Sequence, residues 1–126
     1  MRTAKYAAPN CQIVVSDPDA KVEVPQWPVN SVNMPVRLIW TDTCILVGCL
    51  MDADGETEFT LGEIHEVDPG HPPVFQGKLK TPTRKVSLET VHGHTVLQTP
   101  VPRLETTIRV WTNHYSEPDK VIVGVE

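Results

Sequence analysis

Twelve prolines, spread from Pro9 to Pro118, constrain this 126-residue chain more than any other feature. Each removes a backbone donor and clashes with the preceding helical turn, so long helices have little room. The apolar residues, 40% of the chain, include many valines in short runs. Such β-branched side chains fit a pleated surface and lose rotamer freedom in a helix. An all-β chain is the expectation. Its length suits one domain whose core needs no staples. We expect a single β domain over residues 1–126, with residues 1–10 as a flexible or edge segment.

Read for strands, residues 11–15 and 21–24 suggest a hairpin around Ser16-Asp17-Pro18-Asp19, where Asp side chains can bond their own backbone. Residues 25–35 read as an irregular connection with Trp27 as its anchor. Strands follow at 36–40 and 44–51, and the second is so continuously apolar that both of its faces should be covered. Asp54-Gly55 predicts a type I′ hairpin turn, which needs positive φ at both central positions. On the return strand Thr57, Phe59 and Leu61 should face the core, leaving Glu56, Glu58 and Thr60 in water. Residues 63–67 extend it past a kink at Gly62, and 68–73 form a loop. Further strands fall at 74–80, 85–91, 95–99, 106–113 and 120–125, with His92-Gly93-His94 as a second hairpin turn. Short strands separated by turns imply an antiparallel β-sandwich or sandwich-like barrel. Residues 36–51 and 106–113 should be central, with Phe59, Leu61, Ile108 and Val110 in the core.

Charge is segregated along the chain. Residues 38–76 contain Asp42, Asp52, Asp54, Glu56, Glu58, Glu63, Glu66 and Asp68 but no Lys or Arg. Residues 78–109 reverse the balance, with Lys78, Lys80, Arg84, Lys85, Arg103 and Arg109 against Glu89 and Glu105. A folded domain with this pattern can present an acidic surface to a basic partner. The net charge of -5 and the shortage of interleaved aromatics argue against direct nucleic-acid binding.

No apolar run follows Arg2 and Lys5, and no segment reaches the roughly 18 apolar residues of a membrane span. The expectation is a soluble, cytoplasmic protein without a membrane partner. Cys11, Cys44 and Cys49 are odd in number, and two lie in apolar sequence, which favours packed thiols over a disulfide framework. One bridge stays open. Cys44 and Cys49, five positions apart, point to opposite faces of a straight strand and cannot pair with each other.

No constellation amounts to an active site. The run Asp52-Ala53-Asp54-Gly55-Glu56-Thr57-Glu58 offers oxygen ligands, but Gly55 comes too early for a calcium loop. His92 and His94, joined by His65 or His71, are the alternative metal site of a small β-barrel enzyme; Glu89 is the one acid near the His92-Gly93-His94 turn. Cys44 and Cys49 lie in apolar sequence that raises a thiol pKa, so neither reads as a nucleophile. Glu56 and Glu58 look like exposed charge and not a catalytic dyad. We expect no cofactor, no resident metal and no catalysis. A structural assembly module joined through exposed sheet edges, homo-oligomers included, is a third reading.

Lys78-Leu79-Lys80-Thr81-Pro82, Val86-Ser87-Leu88, Thr106-Thr107-Ile108-Arg109-Val110-Trp111-Thr112 and Lys120-Val121-Ile122-Val123-Gly124-Val125 follow one another in an order and spacing that resembles a known family. It is that of competence protein J, the inhibitor of a DNA-entry nuclease, with relatives among small bacterial immunity-like proteins. Trp40-Thr41-Asp42, the apolar strand after it and the acidic segment beyond resemble the family's central part. The resemblance implies an all-β, non-catalytic protein that binds and blocks a nuclease. It transfers no binding residue. Electrostatics alone nominates Asp52, Asp54, Glu56, Glu58 and Glu63 as the partner-binding surface.

Overall fold

Period-two alternation of apolar residues builds the core. In the computed structural model, which describes residues 1–29 and 36–126, Thr57, Phe59 and Leu61 are fully buried while Glu56 is exposed and Glu58 and Thr60 are half-buried. Ten strands occur among the described residues: β1 (Arg2–Tyr6), β2 (Gln12–Ser16), β3 (Leu38–Trp40), β4 (Cys44–Gly48), β5 (Thr57–Glu63), β6 (Phe75–Lys80), β7 (Lys85–Glu89), β8 (Thr95–Pro100), β9 (Glu105–Thr112) and β10 (Lys120–Val125). One sheet has the order β1-β5-β10-β9-β6 and the other β3-β4-β2-β7-β8. All ladders are antiparallel except β5–β10. The architecture is an all-β sandwich. Ile13, Val15, Ile45, Val47 and Leu88 of one sheet meet Phe59, Leu61, Ile108, Val110, Val121 and Val123 of the other in a single core. Each such side chain contributes about 1.5–3 kcal/mol through removal from water.

β4 is buried along its whole length, as its apolar run requires. One face meets the core. The other lies under the irregular segment 20–28, which Thr41 and Thr43 tie down: the Glu23 N–H donates to Thr43 Oγ1 at 2.7 Å, and Thr41 Oγ1 donates to the Glu23 carbonyl at 2.6 Å. Trp27 anchors the far part, donating from Nε1 to Gln12 Oε1 at 2.5 Å beneath the Arg37 guanidinium. A cavity of about 340 Å³ remains between this segment and the sheet, lined in part by Val14, Val22, Val24 and Leu46. The expected connection over residues 25–35 is described to Val29; residues 30–35 lie outside the described residues.

Four local expectations are corrected by pairing. Residues 21–24 form no strand, because β2 already has β4 and β7 on its two sides. Asp54-Gly55 does not close a hairpin, since β4 and β5 belong to different sheets. There Asp52–Asp54 form a 3-10 turn, and Gly55, with φ of 133°, takes a backbone that side chains rarely adopt. Residues 64–67 do not extend β5: they turn into α1 (Ile64–Val67), which packs back onto the outer sheet face with Trp111 and Ile122. β3 is an edge strand and not a central one. The remaining strands fall within a few residues of their expected places, and the His92-Gly93-His94 turn does join β7 to β8.

Both lateral openings of the sandwich are sutured. On one side the Lys80 N–H donates to the Asp42 carbonyl at 2.8 Å and the two side chains pair at 3.0 Å. On the other Arg2 donates to the Gln98 carbonyl and Tyr6 stacks on His94 at 4.7 Å. β1 is therefore an edge strand held by β5 and by the neighbouring sheet.

Candidate functional site

The strand directions gather one set of connections at one end of the sandwich. β4 ends there and β5 and β10 begin there, so residues 49–56 lie beside residues 113–119. Backbone bonds fix the two together: Leu50 N–H to the Pro118 carbonyl at 2.9 Å, and Glu58 N–H to the Asp119 carbonyl at 2.8 Å. Within the second loop, His114 Nδ1 accepts the Ser116 and Glu117 N–H groups, and Asn113 donates to Asp119 at 2.6 Å. The result is a platform with exposed Asp52, Asp54, Glu56, Glu117 and Asp119. Exposed Met51 and Tyr115 stand among them.

This arrangement only partly matches the five acids that charge patterning singled out. Asp52, Asp54 and Glu56 come together. Glu58 projects from β5 with Lys5 of β1 and Lys120 of β10 as its cross-strand neighbours, so its charge is locally balanced. Glu63 stands at the opposite end of β5, roughly 20 Å away at about 3.3 Å per residue. Glu117 and Asp119 were missed because they lie outside the acid-rich stretch of sequence; the pairing of β10 with β5 delivers them.

Cys11 and Cys49 lie beneath the platform, whereas Cys44 opens β4 at its far end. Cys11 is half-buried, Cys44 and Cys49 are buried, and all three are free. Burial pushes the Cys11 thiol above its ordinary value, with Arg37 working against the shift and Asp52, Glu117 and Asp54 reinforcing it. The same three carboxylates thus act on one point. Burial pushes Cys44 up to about 11 and Cys49 up to about 12, the latter despite the facing Thr57 hydroxyl. Such thiols are poor nucleophiles at neutral pH.

The histidines do not converge. His92 and His94 sit on the β7–β8 turn at the acidic end, whereas His65 lies on α1 at the other. Among the described residues, the group of three ligand types within reach of one another is Glu63, His65 and Glu66, all exposed, with His65 Nε2 3.3 Å from Glu63. These residues edge a cleft of about 410 Å³ that also involves Arg2, Val101 and Arg103. No helix among the described residues is long and apolar enough to cross a membrane.

No family model and no curated protein sequence matches the chain. Among solved structures it is similar to the crystal structure of ComJ, inhibitor of the DNA degrading activity of NucA, from Bacillus subtilis. The TM-score is 0.69 at 11% identity, covering 99% of this chain and 94% of that one. At this identity the likeness concerns the fold, and it is the fold that the sequence resemblance implied. The chain is an all-β sandwich that shares the architecture of ComJ from end to end.

Proposed function

We propose that this chain is a non-catalytic inhibitor domain that binds a basic protein, a DNA-degrading nuclease, through its acidic end. The carrying observation is the likeness to ComJ over 99% of the chain, since that protein is an inhibitor of a nuclease. The clustering of Asp52, Asp54, Glu56, Glu117 and Asp119 on two adjoining loops supports the choice of surface. A nuclease that grips DNA presents cations to phosphates, and a carboxylate platform offers charge of the same sign. Met51 and Tyr115 supply apolar contact inside a charged rim, the usual composition of a protein interface. In this reading the domain works in the cytoplasm, where structural disulfides are rare, in keeping with its free cysteines.

The test uses the nuclease encoded nearest to the gene for this chain. DNA degradation is followed with and without the purified domain, and association is timed at two salt concentrations. The wild type should block degradation. Replacing Asp52, Glu56 and Glu117 by their amides should slow association and flatten its salt dependence. Equal association rates for both proteins at low salt would reject the acidic end as the binding determinant. Uninhibited degradation at saturating domain would reject the inhibitor reading.

A further inference from the structure

Cys11 and Cys49 face each other one rung beyond the regular β2–β4 ladder. The register pairs Gln12 with Gly48, so its continuation sets Cys11 opposite Cys49. The Cys49 N–H donates to the Cys11 carbonyl at 2.8 Å. That single bond keeps the two residues neighbours across the end of the ladder, and facing Cα atoms of antiparallel chains lie about 4.5–5.5 Å apart, inside the roughly 4.4–6.8 Å that a disulfide spans. The two thiols sense each other as well, since charge on Cys11 disfavours charge on Cys49. Cys44 occupies the other face of β4 and is excluded by geometry.

We propose that Cys11 and Cys49 form a reversible disulfide that clips the base of the acidic end. The oxidant is a low-molecular-weight disulfide such as oxidised glutathione. Half-buried Cys11 is the accessible partner. Its thiolate attacks one sulfur of the oxidant, forming a mixed disulfide and expelling one glutathione thiolate, which takes up a proton. Cys49 then gives its proton to solvent and attacks the Cys11 sulfur, expelling the second glutathione thiolate. Two protein thiols are oxidised, and one oxidised glutathione is reduced to two thiols. Because both protein thiols are held protonated, the exchange is slow at neutral pH and accelerates with pH.

The tie acts beside left-handed backbone. Asn10 and Cys11 both hold left-handed backbone, with φ of 58° and 57°, a conformation that side chains disfavour and that surroundings must maintain. Cys49 leads directly into residues 50–56, so the clip restrains the start of the acidic platform. Any effect on partner binding rests on the reading of that end as the partner surface; the clip itself does not.

The experiment needs no partner. The full chain is incubated with oxidised glutathione at several pH values, remaining thiols are blocked after unfolding, and peptides are mapped by mass spectrometry. The expected product joins Cys11 to Cys49, retains no glutathione and leaves Cys44 free to be blocked, at a rate that rises with pH. Cys49→Ser should instead halt at a glutathione adduct on Cys11, and Cys11→Ser should give no crosslink; either variant suffices if the other fails to fold. Amide exchange in residues 50–56 should slow severalfold on oxidation of the wild type. A stable glutathione adduct on wild-type Cys11 with Cys49 still free, or three free thiols throughout, would overturn the proposal. So would unchanged exchange in the crosslinked protein, by removing its action on the acidic end.

Discussion

Gly62 and Gly124 stand side by side, in register, on the parallel strands β5 and β10. Together they make a flat place in the outer sheet face on which α1 lies. A Cβ on Gly124 would come within 2.9 Å of Ile64 Cγ1, 3.2 Å of the Ile64 Cα and 3.2 Å of the Trp111 ring; one on Gly62 would come within 2.9 Å of Val67 Cγ1. The absence of two side chains on neighbouring strands is what lets Ile64, Val67 and Trp111 close a second apolar cluster.

Gly124→Ala should therefore destabilise the protein by about 1–3 kcal/mol through overpacking, because the helix backbone itself must move. Urea unfolding followed by near-ultraviolet circular dichroism reads both the midpoint and the Trp111 environment. An unchanged midpoint would show that α1 does not pack here.

Val110→Ala tests the principal core. The side chain is fully buried between the sheets, and its loss should cost about 1–3 kcal/mol through lost apolar contact and a residual cavity. Chemical denaturation should show a lower midpoint with an unchanged slope. A shift within experimental error would place Val110 outside the core.

Asp17 is a buried carboxylate that carries no role in the proposed site. It accepts the Thr83 N–H at 2.7 Å, the Thr83 hydroxyl, and the Asp19 N–H at 3.1 Å, so it joins the end of β2 to the turn before β7. Asp17→Ala should cost about 1–2 kcal/mol, the lower part of the range for a lost buried partner, because exposed Thr83 can turn to water. Thermal unfolding at neutral pH measures it. A midpoint equal to that of the wild type would mean that the carboxylate holds nothing together.

Alkaline pH should weaken the fold through Cys44 and Cys49. Their thiols are raised from about 9 to about 11 and about 12 in the folded chain, so folding favours the protonated forms. That contribution is complete below pH 9 and is lost as the pH rises through the folded values, because the unfolded thiols ionise first. Denaturation midpoints measured between pH 8 and roughly 11 should fall, and Cys44→Ala should fall less steeply than the wild type. Parallel slopes for the two proteins would remove Cys44 as a contributor.

Local sequence determined the strands and their faces. Alternation of Thr57, Phe59 and Leu61 with Glu58 and Thr60, and the apolar run of β4, are short-range signals: side-chain direction repeats every two residues whatever the neighbouring strand is. The same locality explains the misreadings. Asp54-Gly55 carries the chemistry of a hairpin turn, but each flanking strand is already held on both sides, β4 by β3 and β2, and β5 by β1 and β10. Gly62 reads as a kink until Gly124, which is distant in sequence, arrives beside it. The acidic end follows the same logic, since Asp52 and Glu117 adjoin only because β10 runs parallel to β5 and starts at the same end. Which strands become neighbours is settled by competition among long-range pairings for a limited number of edges, and a single stretch of sequence does not contain that competition.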